Sequence, residues 1–228
     1  MNDLAQKLIE ELQCETVFTI PVLGGIPVSE AVVVTWIIMA VLVIVAFILT
    51  RNLKVDHISK RQAVAESIVT DLMNMVQGMV GEKGRKYVPY LTTVMLYIGV
   101  SNIIGLFGFK SPTKDLRVTV ALALMSIILI EAAGIYHKGV KRWLHGFVEP
   151  VAIVTPINIL EVVTKPLSLC MRLFGNVLGA FVIMELLKMI LPVGLPVVFS
   201  LYFDIFDGLL QAYVFVFLTS LYIDEITE

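Results

Sequence analysis

Five long and mainly apolar segments constrain this chain more than any other feature of its sequence. A membrane-spanning helix needs about 20 mostly apolar residues, because the bilayer offers its backbone no water to bind. The break between the last two segments is LPVGLP, a tight turn signal. We therefore predict an all-α membrane protein that forms a single integral membrane domain over residues 1–228. The predicted transmembrane helices occupy residues 30–50, 87–109, 118–136, 151–191 and 196–223.

The composition supports a membrane protein and argues against several other classes. Hydrophobic residues make up 58% of the chain and charged residues 16%, against about 25% charged in an ordinary soluble domain. A formal net charge of −2 leaves no strongly basic face, so we predict no nucleic-acid partner. Cys14 and Cys170 lie in very different contexts, which excludes a disulfide framework and a cysteine metal site. Without a GxxxxGK(S/T) nucleotide loop, we predict no cofactor, no metal and no catalysis by this chain alone.

Two weaker segments accompany the spans. Residues 61–80 place their apolar side chains on one helical face, which predicts an amphipathic helix on or partly in the membrane surface. Packing of that helix flat against the spans is a compatible alternative. Residues 1–29 are predicted to form an outer-surface segment rather than a signal peptide, because they are polar and acidic with no basic beginning. Two short apolar runs around Gly24 and Gly25 favour a small hairpin there.

The loop charges predict the orientation of the chain. Seven Lys and Arg residues lie between spans one and two, and three lie between spans three and four. These loops are on the same side of the membrane, whereas the opposite side carries four. Positive charge is enriched in cytoplasmic loops. We therefore predict that the N-terminus is outside and the C-terminus is in the cytoplasm.

The fourth span contains charged residues that a bilayer disfavours by about 2.5–3.5 kcal/mol each at its centre. At 100° per residue, several polar or small residues fall in one narrow stripe. A continuous helix over 151–191 is about 60 Å long, twice the roughly 30 Å of the hydrocarbon layer. We therefore predict a long, tilted C-terminal helical hairpin. The stripe consists of Glu161, Lys165, Ser168, Arg172, Asn176 and Gly179, with Glu185 and Lys188 on other faces nearer the outer end.

The fifth span repeats the pattern, because Ser200, Asp204, Asp207 and Gln211 share one helical face. Two neighbouring helices with polar stripes predict that the stripes face water, each other or a polar partner. Backbone or water contacts are the structural alternative for both aspartates. Glu131 interrupts the third span and is equally compatible with facing the same path or a structural role.

Two basic residues of the fourth span have structural explanations. Glu161 and Lys165 are four residues apart with the acid first, so a structural ion pair is as compatible as a functional one. Lys188 is expected to extend to the outer interface. Arg172 differs, because it lies near mid-span with no acid one turn away on its helix, and a guanidinium keeps its charge. We therefore expect a functional role for Arg172; structural pairing with Asp204 or Asp207 is the alternative.

The motif KPLSLCMRLFGN, from Lys165 to Asn176, resembles the signature of ATP synthase subunit a, the membrane stator subunit of the rotary ATP synthase. The preceding PINILE, the loop SPTKDLRVT and the segment YHKG are similar to other parts of that family. The resemblance covers roughly Ile37 to the C-terminus. It implies two offset half-channels that pass protons or sodium ions to and from a ring of c subunits. The implied partners are that c-subunit ring, peripheral-stalk b subunits, the remainder of the ATP synthase complex and membrane lipids.

The resemblance also implies roles for individual residues. Arg172 matches the essential cation that faces the ring, releases the ion and blocks leakage, and Asn176 and Gln211 match residues that line the path. The chain departs from the family at Phe181, where an acid or histidine is frequent, at Asp204, where histidine or glutamate is usual, and at Arg117, where asparagine is frequent. The expected path residues are Asn176, Gln211, Asp204, Asp207, Glu185, Glu161, Lys165, Ser168 and Glu131.

The sequence also bears on the location of the protein and leaves one alternative function. The lack of a transit peptide favours a bacterial plasma membrane. An autonomous ion channel or cation antiporter is the alternative function, since the polar stripes could form a pathway of their own. Such a protein would transport ions when purified alone, whereas a stator subunit would not.

Overall fold

The computed structural model describes residues 16–20, 26–51, 59–107, 109–146, 154–190 and 194–227. Short 3-10 turns occur at Arg85–Tyr87, Ile104–Phe107 and Pro112–Lys114. A π-helical segment, Leu201–Asp207, joins the last two helices. The strands are β1 (Thr16–Ile20) and β2 (Ile26–Ser29), and the helices are α1 (Glu30–Thr50), α2 (Lys60–Val80), α3 (Val88–Ile103), α4 (Leu116–Lys138), α5 (Val140–Gly146), α6 (Thr155–Ile190), α7 (Leu195–Ser200) and α8 (Gly208–Thr227).

Among the described residues, five helical stretches are long and apolar enough to cross a membrane, which confirms the predicted all-α membrane fold. They are Glu30–Thr50, Arg85–Phe107, Leu116–Lys138, Thr155–Met189 and Pro196–Thr227. The predicted fourth span begins at 151 and ends at 191, and both of these positions lie outside the described residues. The α6 helix runs through Pro166 without interruption.

The predicted N-terminal hairpin is present as an antiparallel pair of strands. Phe18 of β1 pairs with Val28 of β2, and the pairing is irregular between Thr16 and Phe18. The turn with Gly24 and Gly25 lies outside the described residues. The hairpin leads directly into α1, where Ser29 donates a 3.0 Å hydrogen bond to a carboxylate oxygen of Asp115. This contact fixes the start of α1 against the start of α4.

The α8 helix forms the centre of the bundle, and α2, α3, α4 and α6 all pack against it. One buried cluster lies between α2, α3, α4 and α8, around Val76, Leu91 and Val216. A second cluster lies between α3, α4, α6 and α8, around Leu173 and Phe215. In contrast, α1 exposes most of its large apolar side chains, as expected of a helix that faces lipid.

The α2 helix combines the two arrangements that its amphipathic pattern allows. Its C-terminal residues Val76 and Val80 are buried against the bundle, whereas Val64 and Ile68 nearer its start are exposed. Ser59 caps the helix by accepting a 3.3 Å hydrogen bond from the backbone of Gln62. Gly81 ends it with a φ of 73°, a conformation that other residues rarely adopt.

Two features of the fold have no counterpart in the sequence prediction. A short helix, α5, follows α4 after a single residue with positive φ, Gly139. The fifth span is not a uniform α-helix, because its residues 201–207 form wider π-helical turns. Such segments insert an extra residue into a helix and are frequent at functional sites.

Candidate functional site

Arg172 lies on the surface of α6, with its side chain exposed in the isolated chain. Its neighbours Leu169 and Leu173 are 2% and 0% exposed, because they point into the bundle. Ser168 and Asn176, one turn to either side, share the exposed face with Arg172. No hydrogen bond or ion pair joins the guanidinium to any other residue that the structure describes. Arg172 is therefore not neutralised by Asp204 or Asp207.

A hydrogen bond between two amide side chains joins α6 to α8 next to this arginine. Nδ2 of Asn176 donates to Oε1 of Gln211 over 2.6 Å. Gln211 is 4% exposed and is held within the bundle. The bond fixes the face of α6 that carries Arg172 relative to α8, because Asn176 lies one helical turn beyond Arg172.

A cavity of about 480 Å³ lies between α6 and the π-helical segment, and we name it the Asp204 cavity. Asp204, Asp207 and Glu185 supply its carboxylates, and Gln211 lies at its end toward Arg172. Lys188 also lines it and forms a 2.7 Å ion pair with Glu185. The cavity thus brings together the acids that the helical pattern places on two different spans.

The Asp204 cavity also contains residues that the sequence analysis missed. Lys114, from the loop before α4, is 8% exposed and lies over the ring of Phe181, with Nζ 2.9 Å from the ring centroid. At Phe181, one of the positions where the sequence departs from the pattern that the resemblance implies, the aromatic face contacts a cation. Loop and helix are far apart in sequence, so no helical spacing could have paired them.

A second cavity, also about 480 Å³, lies at the other end of α6, and we name it the Glu161 cavity. Lys165 bridges two carboxylates there, Glu225 at 3.1 Å and Glu161 at 3.9 Å. Glu131 also lines this cavity and accepts a 2.9 Å hydrogen bond from the indole nitrogen of Trp143. Glu131 therefore belongs with Glu161 rather than with the aspartates of the last span.

An apolar layer separates the two cavities. Along α6, the residues that line the Glu161 cavity end at Lys165, and those that line the Asp204 cavity begin at Val177. The twelve-residue interval corresponds to about 18 Å at 1.5 Å per residue. Leu169, Leu173 and Phe215 fill the interior at this level and are at most 2% exposed. Arg172 lies at the same level, on the side of α6 that faces away from the bundle.

Two other predicted residues of α6, Ser168 and Lys188, are both exposed. Ser168 is exposed beside Arg172 and lines neither cavity. Lys188, expected to extend to the interface, is 54% exposed and remains paired with Glu185. Glu225 and Trp143 were missed as residues of the Glu161 cavity. The sequence does show that the last apolar span ends in charged residues, one of which is Glu225. It contains no comparable signal for Trp143.

The fold and the site define a class of protein: a multi-pass membrane protein with two cavities that contain ionisable side chains, an apolar layer between them and an exposed arginine on that layer. A family sequence model described as "ATP synthase A chain" matches residues 32–224. The chain belongs to this family. Its membership supports the interpretation that it is an ion-translocating stator subunit of the ATP synthase complex.

Curated relatives agree over most of their lengths. ATP synthase subunit a of Moorella thermoacetica is 36% identical over 203 residues, which cover 88% of this chain and 92% of the relative. ATP synthase subunit a, sodium ion specific, of Propionigenium modestum is 35% identical over 215 residues, 87% of this chain and 74% of the relative. ATP synthase subunit a 1 of Crocosphaera subtropica is 30% identical over 197 residues, 86% and 85% respectively. The family resemblance inferred from the arginine motif is thereby confirmed.

Proposed function

We propose that this chain provides two offset half-channels that carry protons or sodium ions to and from a ring of c subunits. The observation that carries the proposal is the exposed Arg172, on an apolar layer between two cavities that contain ionisable side chains. An ion that enters one cavity meets Leu173 and Phe215 before it could reach the other. The route that remains runs over the outer face of α6, where an acidic partner would meet Arg172.

The two cavities would open to opposite sides of the membrane. The excess of Lys and Arg in the loops on the Glu161 side supports a cytoplasmic position for that cavity, with the C-terminus. The N-terminal hairpin and the Asp204 cavity would then lie outside. We also propose that the membrane is a bacterial plasma membrane.

Arg172 would act on carboxylates of the passing ring. A carboxylate that faces lipid is neutral, because an isolated charge in hydrocarbon is costly. Beside a guanidinium the ionised form becomes favourable, so the carboxylate releases its ion into the Glu161 cavity. Continued rotation would bring it to the Asp204 cavity, where Asp204, Asp207 or Glu185 delivers the next ion. The permanent charge of Arg172 would also repel cations moving directly between the cavities.

The energetics require a rotating partner rather than a self-contained pump. One charge that moves through 100 mV releases about 2.3 kcal/mol, which is too little for the synthesis of ATP in one step. Several ions must therefore be coupled mechanically. The ring of c subunits would supply that coupling, while peripheral-stalk b subunits hold this chain still within the complex and its lipids.

Cysteine accessibility in the assembled complex tests the proposal. We expect Asp207→Cys to be labelled by a membrane-impermeant thiol reagent from outside, and Glu225→Cys only from the cytoplasmic side. Leu173→Cys in the apolar layer is the matched control and should resist labelling from both sides. Labelling of Asp207→Cys and Glu225→Cys from one common side would contradict separate half-channels. Transport by the purified chain alone in liposomes would instead favour an autonomous channel or antiporter.

A further inference from the structure

The end of α3 and the 3-10 turn that follows it contact the last span at two points about one turn apart, one in the π-helical segment and one at the start of α8. At Gly105, an added Cβ would lie 3.1 Å from a carboxylate oxygen of Asp204. At Gly208, an added Cβ would lie 2.7 Å from Cβ of Asn102, closer than real Cβ contacts allow. The absence of side chains at these two glycines lets α3 approach the backbone of the last span.

Asn102 adds a directed bond to this close approach. Its Nδ2 donates to the backbone carbonyl of Gly208 over 2.9 Å, and its side chain is 5% exposed. Its Oδ1 accepts a 2.7 Å hydrogen bond from the hydroxyl of Thr113. The orientation of the amide is fixed, because the carbonyl of Gly208 can only accept a hydrogen bond. Asn102 thus joins α3, the loop before α4 and α8.

Gly208 is the residue at which the π-helical segment ends and α8 begins. Its backbone N–H is shared between the carbonyls of Ile205 and Phe203, and the bond to Phe203, five residues earlier, is of the π-helical type. One extra residue in a helix corresponds to about 100° of rotation at 3.6 residues per turn. If the extra residue moved along the helix, each side chain that it passed would turn by that angle.

We propose that Asn102 is a positioning residue that holds the π-helical turn on the N-terminal side of Gly208. The inference rests on the proposed function, in which Asp204 and Asp207 serve the ion path. With the turn held at Gly208, both aspartates and Gln211 line one cavity although the helix between them is irregular. Without the bond, the extra residue is free to shift, and the aspartates turn relative to Gln211.

The test uses the assembled complex in membrane vesicles, with Cys14 and Cys170 replaced. Single cysteines at positions 203 to 207 and at 211 are labelled with a membrane-impermeant thiol reagent from the side that reaches the Asp204 cavity. In the parent we expect labelling at 203, 204, 207 and 211, which line the cavity, and little at 205 and 206. Asn102→Leu keeps the approximate volume of the side chain and removes the donor. In the Asn102→Leu variant we expect the ratio of labelling at position 207 to labelling at position 206 to fall by about tenfold.

Two further variants and one control make the test specific. Asn102→Asp replaces the donor with a carboxylate, and Gly208→Ala forces α8 away from α3 through the Cβ overlap. Both should shift the labelling in the same way as Asn102→Leu. Thr92→Val removes another buried polar group from α3, whose hydroxyl bonds only to its own helix at Val88. It should leave the labelling unchanged.

Functional measurements separate this proposal from the proposed function. ATP-driven pumping per ATP hydrolysed should fall, and its pH profile should shift, in both Asn102 variants but not in Thr92→Val. An unchanged labelling pattern in assembled Asn102→Leu complexes would overturn the positioning role. Failure of all three variants to assemble would also overturn it, since the contact would then serve folding alone. A shifted pattern with undiminished pumping would support the positioning role and contradict the Asp204 cavity as the ion path.

Discussion

Replacing Arg172 by glutamine removes the positive charge at the middle of α6, and the control is the same replacement at Lys165 on the same helix. Arg172→Gln keeps a long polar side chain and removes the positive charge. The described residues offer the guanidinium no ion-pair partner, so its field remains available to a partner outside the chain. Lys165, seven residues earlier, already pairs with Glu225 at 3.1 Å and with Glu161 at 3.9 Å. Lys165→Gln therefore removes a charge that two carboxylates have neutralised.

The magnitude follows from distance and dielectric. A unit charge about 4 Å from a carboxylate contributes roughly 4 kcal/mol at an effective dielectric constant of 20. Observed effects of a neighbouring cation correspond to about 1.4–4 kcal/mol. Loss of Arg172 should thus slow ion release from the ring by about 10- to 1,000-fold. Lys165 lies about 10 Å further along α6, where even an unpaired charge would contribute only about 1.6 kcal/mol.

The assay is ATP-driven ion pumping by the reconstituted complex, with ATP hydrolysis and passive leak measured in parallel. We expect Arg172→Gln to lose coupled pumping and Lys165→Gln to lower it by a smaller factor, because the latter charge is offset locally. Equal loss in the two variants would show that total charge on α6, rather than the unpaired guanidinium, governs transport. Near-normal pumping by Arg172→Gln would refute the role assigned to Arg172.

Three further predictions concern packing around the site. Leu173→Ala should lower the free energy of unfolding by about 2–5 kcal/mol, measured by thermal and denaturant unfolding in detergent. The control is Met171→Ala on the same helix, which should change this free energy little because Met171 is exposed. Gly134→Ala should destabilise by about 1–3 kcal/mol, because its Cβ would lie 2.8 Å from a side chain of α8, whereas Gly78→Ala, with open space around it, should be neutral or stabilising. A double-mutant cycle of Asn176→Leu and Gln211→Leu should give a coupling free energy of about 1 kcal/mol, and additivity would show that their 2.6 Å bond contributes nothing.

The membrane fold could be predicted from the sequence because its determinants are local. An apolar run of sufficient length must become a helix in lipid, whatever its neighbours are. The stripe from Glu161 to Asn176 was likewise visible, since a regular α-helix fixes which residues share a face. The structure places Ser168, Arg172 and Asn176 on one exposed face, in agreement with that geometry. Their roles in transport remain predictions.

The contents of the two cavities could not be predicted, because they depend on contacts between distant segments. Lys114 reaches Phe181 from a loop, and Trp143 reaches Glu131 from the short helix α5. The π-helical segment was also missed, since a uniform rotation of 100° per residue was assumed for the last span. Asn102 was hidden within an uncharged run that the prediction treated only as membrane-spanning. Its function depends on Gly208, which lies 106 residues further along the chain.

The distribution of charge on α6 supports the proposal that this helix meets an outside partner. The basic groups near its two ends are neutralised within the chain, Lys165 by Glu225 and Lys188 by Glu185. Arg172 alone of these three lacks such a contact among the described residues, although a charge at mid-span costs about 2.5–3.5 kcal/mol or more. A local aspartate would have removed that cost, and the adjacent span carries two. Because both lie in the Asp204 cavity instead, the chain leaves the guanidinium available. Under the proposed function, an acidic partner that passes α6 would supply its stabilisation for part of each cycle.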